Sequence, residues 1–71
     1  MISLDDLENW FTYHVPTAAQ TAQDVKIRDA GKLFAMVILA NSPPSADQTA
    51  AIRKVREAVM TANAAIACGG Q

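Results

Sequence analysis

The sequence predicts an all-α fold: a short N-terminal helix plus a long antiparallel helical hairpin, completed by oligomerisation. Fourteen alanines stand against three glycines and three prolines, which is the composition of helices. The prolines fall at two breaks only, Pro16 and Pro43-Pro44, and each break is followed by a helix-capping pattern. The 71 residues form a single helical-hairpin domain, 1–71, and a monomer of that size leaves much of its surface in water.

The first helix is predicted over 4–12. Ser3 caps it, Asp6 suits its first turn, and Leu4, Leu7, Trp10 and Phe11 share an apolar side. Val15-Pro16 ends it, because a residue before proline is pushed out of the helical region. Thr17 with Gln20 three positions on is a capping box, opening a helix over 17–40 in which Ile27, Ala30, Phe34, Val37 and Ile38 recur at helical spacing. Gly31 interrupts this helix at a cost of roughly 1 kcal/mol relative to alanine, which a close helix crossing or a slight bend would justify. Asn41-Ser42-Pro43-Pro44 then breaks the chain, since no helix interior accepts two prolines. Ser45 and Gln48 form a second capping-box pattern, and the third helix runs over 45–68 until Gly69-Gly70, with Ile52, Val55, Val59, Ala62 and Ile66 on its apolar face. Two long helices joined by a short loop fold back into a hairpin about 35 Å long at 1.5 Å per residue. The short helix packs across one end.

Each long helix carries more apolar surface than one partner covers. Leu33, Met36 and Leu39 lie outside the main stripe of the second, Val59-Met60 widens that of the third, and Ala58, Ala62 and Ala65 allow close backbone approach. An oligomer follows, with a monomeric three-helix bundle as the alternative.

Charge and motifs narrow the function. The formal charge of -1 excludes a strongly basic binder, and two separated positive regions suit small anions better than long nucleic acid. The lone Cys68 offers no intramolecular disulfide and no zinc set, and it reads as a passive thiol in a reducing compartment. Asp5, Asp6 and Glu8 stand where a secretory leader would be basic, and no apolar run approaches about 18 residues. A soluble cytoplasmic protein without a membrane partner is expected. Catalytic residues, metal ligands and a cofactor are all expected to be none: there is no phosphate loop, no zinc signature and no nucleophile with its base. Enzyme is the weaker class.

The candidate ligand site starts from Trp10-Phe11-Thr12-Tyr13-His14, which holds three of the four aromatic residues and the one histidine. Arg28 and Lys32, four apart, share a face of the second helix just beyond it, so a partner chain could bring its aromatic cluster beside them. A base stacked on an aromatic ring and a phosphate held by an arginine fork make a nucleotide site. The competing reading leaves both cations as solvated helix surface. Arg53, Lys54 and Arg56 are expected at the Pro-Pro end, far from Arg28. His14 either orients Tyr13 structurally or touches ligand. Asn9 and Asn63 have the same two readings, Asn63 as an amide needing a partner in a small apolar helix. Pro16 and Thr49 read as structural or pocket-edge residues.

Asn9-Trp10-Phe11-Thr12-Tyr13-His14-Val15-Pro16, Arg28-Asp29-Ala30-Gly31-Lys32, Ser42 through Ala50 and Arg56 through Ala67 together resemble the phage type 2 anti-CBASS (Acb2-like) cyclic-oligonucleotide sponges. The Tyr-His-x-Pro element and the Glu-Ala-x-Met-x-Ala-Asn-Ala-x-Ile-Ala ending are the most specific parts. The resemblance implies a homo-oligomer, a hexamer, that sequesters cyclic dinucleotides such as 3',3'-cGAMP in the cytoplasm of the infected bacterium without cleaving them. It also implies that some members take cyclic trinucleotides at separate pockets. It assigns base stacking to Tyr13 and phosphate contact to Arg28, where the family often has lysine and the planar fork alters the geometry. The alternative from another class is a helical oligomeric adaptor binding a host or phage protein through Met36, Leu39 and Met60.

Overall fold

The computed structural model describes residues 1–70, and Gln71 lies outside the described residues. It has three helices: α1, Leu4–Phe11; α2, Ala18–Asn41; and α3, Ala46–Ala67. Both N-terminal capping boxes close. The Asp6 N–H donates to Ser3 Oγ at 3.1 Å while the Ser3 N–H donates to Asp6 Oδ2 at 2.8 Å. The Gln20 N–H donates to Thr17 Oγ1 at 3.1 Å, and the Thr17 N–H donates to Gln20 Oε1 at 2.9 Å. Each pair satisfies two N–H groups that a helix start would otherwise leave without partners.

The third cap differs from the expected box. Ser45 Oγ accepts from the Gln48 N–H at 3.1 Å, but the Gln48 side chain does not return to Ser45. Its Nε2 turns across the loop and donates to Ser42 O at 2.9 Å, Ser42 Oγ at 3.1 Å and Leu39 O at 3.3 Å. The last carbonyls of α2 need donors, and Gln48 supplies one from the first turn of α3. It is the one residue of the buried class among those described. Ser42 Oγ in turn donates to Ile38 O at 2.6 Å, so the tip of the hairpin is closed by polar groups.

Along the hairpin, Gly31 marks a close approach of α2 to α3. A Cβ built on Gly31 would overlap Val59 Cγ2, with Val59 Cβ at 3.7 Å and Val55 Cγ1 at 3.8 Å. The expected close crossing is therefore what the glycine serves. At the open end, Gln20 Nε2 donates to Ile66 O at 3.2 Å, and Asn9 Nδ2 on α1 donates to Cys68 O at 3.2 Å. The hairpin mouth is thus tied by side chains to the last carbonyls of α3, and α1 sits there.

The chain measures 44 × 30 × 15 Å. Since one helix with its side chains is about 10–12 Å across, the thickness is that of a single helical layer. A compact domain of this length has a radius of gyration near 11 Å, against 15.0 Å here. The accessible surface is 5779 Å², whereas a monomer of this mass exposes about 4,300 Å². Among the described residues no apolar side chain is buried, and Phe34 is 58% exposed. Two helices in one layer have a single seam, and both outer faces remain open. No helix among the described residues is long and apolar enough to cross a membrane.

Gly31→Ala tests the crossing. Overpacking costs about 1–3 kcal/mol, more than the roughly 1 kcal/mol of helix propensity gained, and Val59 is stiff at χ1 in a helix. The variant is expected to melt below wild type, and adding Val59→Ala should recover part of the loss. A Gly31→Ala protein more stable than wild type would refute the close approach.

Candidate ligand-binding site

Two grooves flank the α2–α3 seam, and Gly31, Val55 and Val59 line both. The larger, about 650 Å³, is apolar, with Ile27, Ala30, Phe34 and Ile38 from α2 facing Ala51, Ala58 and Ala62 from α3, and Lys54 as its charged residue. The smaller, about 240 Å³, carries three cations: Arg28 and Lys32 from α2 and Arg56 from α3, over Ala35, Ile52 and Met60. The first groove is lined by apolar side chains and one lysine, the second by apolar side chains and three cationic ones.

This arrangement corrects the expectation that the α3 cations lie far from Arg28. Gly31 precedes Pro43 by twelve residues and Arg56 follows Pro44 by twelve, so an antiparallel fold sets position 56 level with position 31. Arg56 therefore falls within a turn of both Arg28 and Lys32. Lys54 goes to the apolar groove, and Arg53 lines neither.

Tyr13 is not among the residues lining either groove. It stands in the α1–α2 loop at the hairpin mouth and is 82% exposed. Arg28 is ten residues into α2, about 15 Å along its axis. A single chain thus groups Arg28, Lys32 and Arg56 and leaves the tyrosine apart.

His14, next to Tyr13, is half-buried. Its Nε2 lies 2.6 Å from the Asn9 carbonyl, which only accepts, so Nε2 carries the hydrogen. The same carbonyl lies 3.9 Å from Cys68 Sγ, a weak donor. Asn9 is half-buried at the junction of α1 and α3, and Pro16 is exposed immediately before the Thr17 cap. Thr49 is exposed in the first turn of α3, its N–H donating to Ser45 O at 3.2 Å, at the opposite end from Tyr13. Asn63 is half-buried, and its Oδ1 is enclosed without a hydrogen-bond partner, as is Asp24 Oδ1 on α2. An enclosed amide oxygen with no donor costs folding free energy within the single chain.

The profile of the family described as "Acb2/Tad1, hairpin domain" matches residues 4–67, which take in all three helices. The chain belongs to the Acb2/Tad1 hairpin-domain family. No curated protein and no solved structure matches it significantly. Membership supports an anti-CBASS function of the Acb2 kind in general terms. Among the described residues of this Acb2/Tad1 hairpin, no group of three or more His, Cys, Asp or Glu gathers where it could hold a metal ion. Three positively charged residues line the Arg28–Lys32–Arg56 groove.

Three like charges in one shallow groove repel one another, by about 0.2–0.5 kcal/mol for a helical i,i+4 pair such as Arg28 and Lys32. Arg56→Gln is expected to raise the melting temperature slightly in low salt. The difference should close near 1 M salt, where the screening length is about 3 Å. An effect independent of salt would show that Arg56 acts through packing and not through charge.

Proposed function

We propose that this Acb2/Tad1 hairpin is a phage immune-evasion protein that binds and sequesters the cyclic dinucleotide messengers of bacterial CBASS defence, such as 3',3'-cGAMP, without hydrolysing them. The observation that carries this reading is that Arg28, Lys32 and Arg56 line one groove of a chain that belongs to this family. A cyclic dinucleotide presents two phosphates and two flat bases. The guanidinium forks of Arg28 and Arg56 hold phosphate oxygens in pairs, Lys32 adds a point charge, and an exposed tyrosine stacks on a base.

The groove and Tyr13 are separate in one chain, so the reading requires that a neighbouring copy bring its Tyr13 to the cations. The flat, single-layer shape and the open apolar groove favour such an assembly, and a homo-hexamer is the size proposed. Residues 1–71 act as one domain within it, in the cytoplasm of the infected cell. Cyclic trinucleotides are a further ligand class, taken at pockets elsewhere in the oligomer. Sequestration needs only a tight stoichiometric complex, so neither metal nor cofactor enters it.

Calorimetry against 3',3'-cGAMP, followed by chromatography of the recovered ligand, tests this directly. Saturable binding with intact ligand is expected. Linear dinucleotide in the recovered material would make the protein a nuclease, and no binding by a well-assembled oligomer would favour an adaptor that uses Met36, Leu39 and Met60. Light scattering at micromolar concentration should give several times the chain mass of 7.6 kDa, and a monomer would remove the shared site.

Single substitutions separate the roles. Tyr13→Ala should weaken binding about five- to hundredfold, the value of one base stack of about 1–3 kcal/mol. Arg28→Ala and Arg56→Ala should each cost about 1.5–3 kcal/mol of binding, the scale of a charged hydrogen bond. Arg28→Lys should keep part of it, because charge survives while the fork does not. Full affinity after loss of Arg56 would restrict the phosphate contact to α2.

A further inference from the structure

We propose that His14 is a positioning residue that aims Tyr13 by pinning the α1–α2 loop to α1 and, through Asn9, to the C-terminus of α3. The proposal rests on the reading of Tyr13 as the stacking residue. Among the described residues, 13–16 make no backbone–backbone hydrogen bond, so the peptide groups of this loop do not hold it in place. What holds it is a side chain: His14 Nε2–H donates to the Asn9 carbonyl at 2.6 Å.

That bond sets the direction of Tyr13. Thr12 and Thr17 are extended, at φ −100° and −74°, and Val15 is pushed the same way by Pro16. The His14 ring is half-buried against the Asn9 carbonyl while its neighbour Tyr13 is exposed, so fixing the one fixes the point from which the other projects. The anchor itself is fixed at a second point, because Asn9 Nδ2 donates to Cys68 O at 3.2 Å and the Asn9 carbonyl also faces Cys68 Sγ at 3.9 Å. The ring therefore reaches the end of α3 through one residue. A histidine used this way has its inward nitrogen occupied by the protein.

The test combines backbone amide order parameters of the ligand-free protein, from NMR relaxation, with calorimetry against 3',3'-cGAMP. His14→Phe keeps a ring and removes the donor, whereas His14→Gln returns an N–H at similar reach. His14→Phe should lower the order parameters of residues 13–15 and weaken binding about three- to tenfold, the scale of one neutral hydrogen bond. His14→Gln should recover most of the loss in both. Asn9→Ala keeps the carbonyl and cuts only the tie to Cys68. It is expected to give a smaller loss in both readouts, and it carries the test if His14→Phe does not fold. Weaker binding with unchanged loop order would make His14 a direct ligand contact and overturn the proposal. A looser loop with unchanged affinity would overturn it as well, showing that the clamp does not serve the site. Absence of cyclic dinucleotide binding by the wild type would sink the function and the aiming of Tyr13 with it, while the order parameters of the ligand-free protein would still report whether the clamp exists.

Discussion

Everything in this chain is arranged around one seam. Two antiparallel helices touch along a single line, and the absence of a side chain at Gly31 lets Val59 close that line. The approach fixes which residues stand level across the pair, and so which side chains share a groove. The pair lies in a layer 15 Å thick, and neither face is covered by the chain itself. A domain built this way keeps its larger apolar groove and the groove with the three cations on either side of the shared residues Gly31, Val55 and Val59.

That division gives one short chain two chemically different surfaces. Small residues dominate the α3 side of the apolar groove, where Ala51, Ala58 and Ala62 leave room for incoming side chains. The basic groove instead keeps long, charged side chains whose stems cover the apolar floor while their heads stay in water. The seam residues Val55 and Val59 serve both, so a change there alters the two grooves together.

The backbone plan was legible because its signals are local. Ser3, Thr17 and Ser45 each act on groups within three residues, the prolines act on their immediate neighbours, and the helices begin after these caps. Gly31 announced a crossing by its position inside a long helix, although its partner Val59 could be named only from the fold. The candidate site was legible in part. Arg28 and Lys32 are paired by helical periodicity, but Arg56 joins them through the register of the hairpin, which counting outward from Pro43-Pro44 would have revealed. Gln48 satisfied the capping-box pattern and yet faces the other way, because the carbonyls at the end of α2 were the groups lacking donors. The tie between Asn9 and Cys68 joins residues 59 apart, and no short-range pattern encodes it.

The polar lock at the tip also sets an order for closing the chain. Leu39 and Gln48 are nine positions apart, whereas Asn9 and Cys68 are 59 apart, and the entropy lost on closing a loop rises with that separation. Zipping from the tip removes that difference step by step, since each turn of α2 and α3 laid together shortens the gap that remains. The ties of Asn9 and Gln20 to the end of α3 then cost least when they close last, across a gap that the paired helices have already shortened.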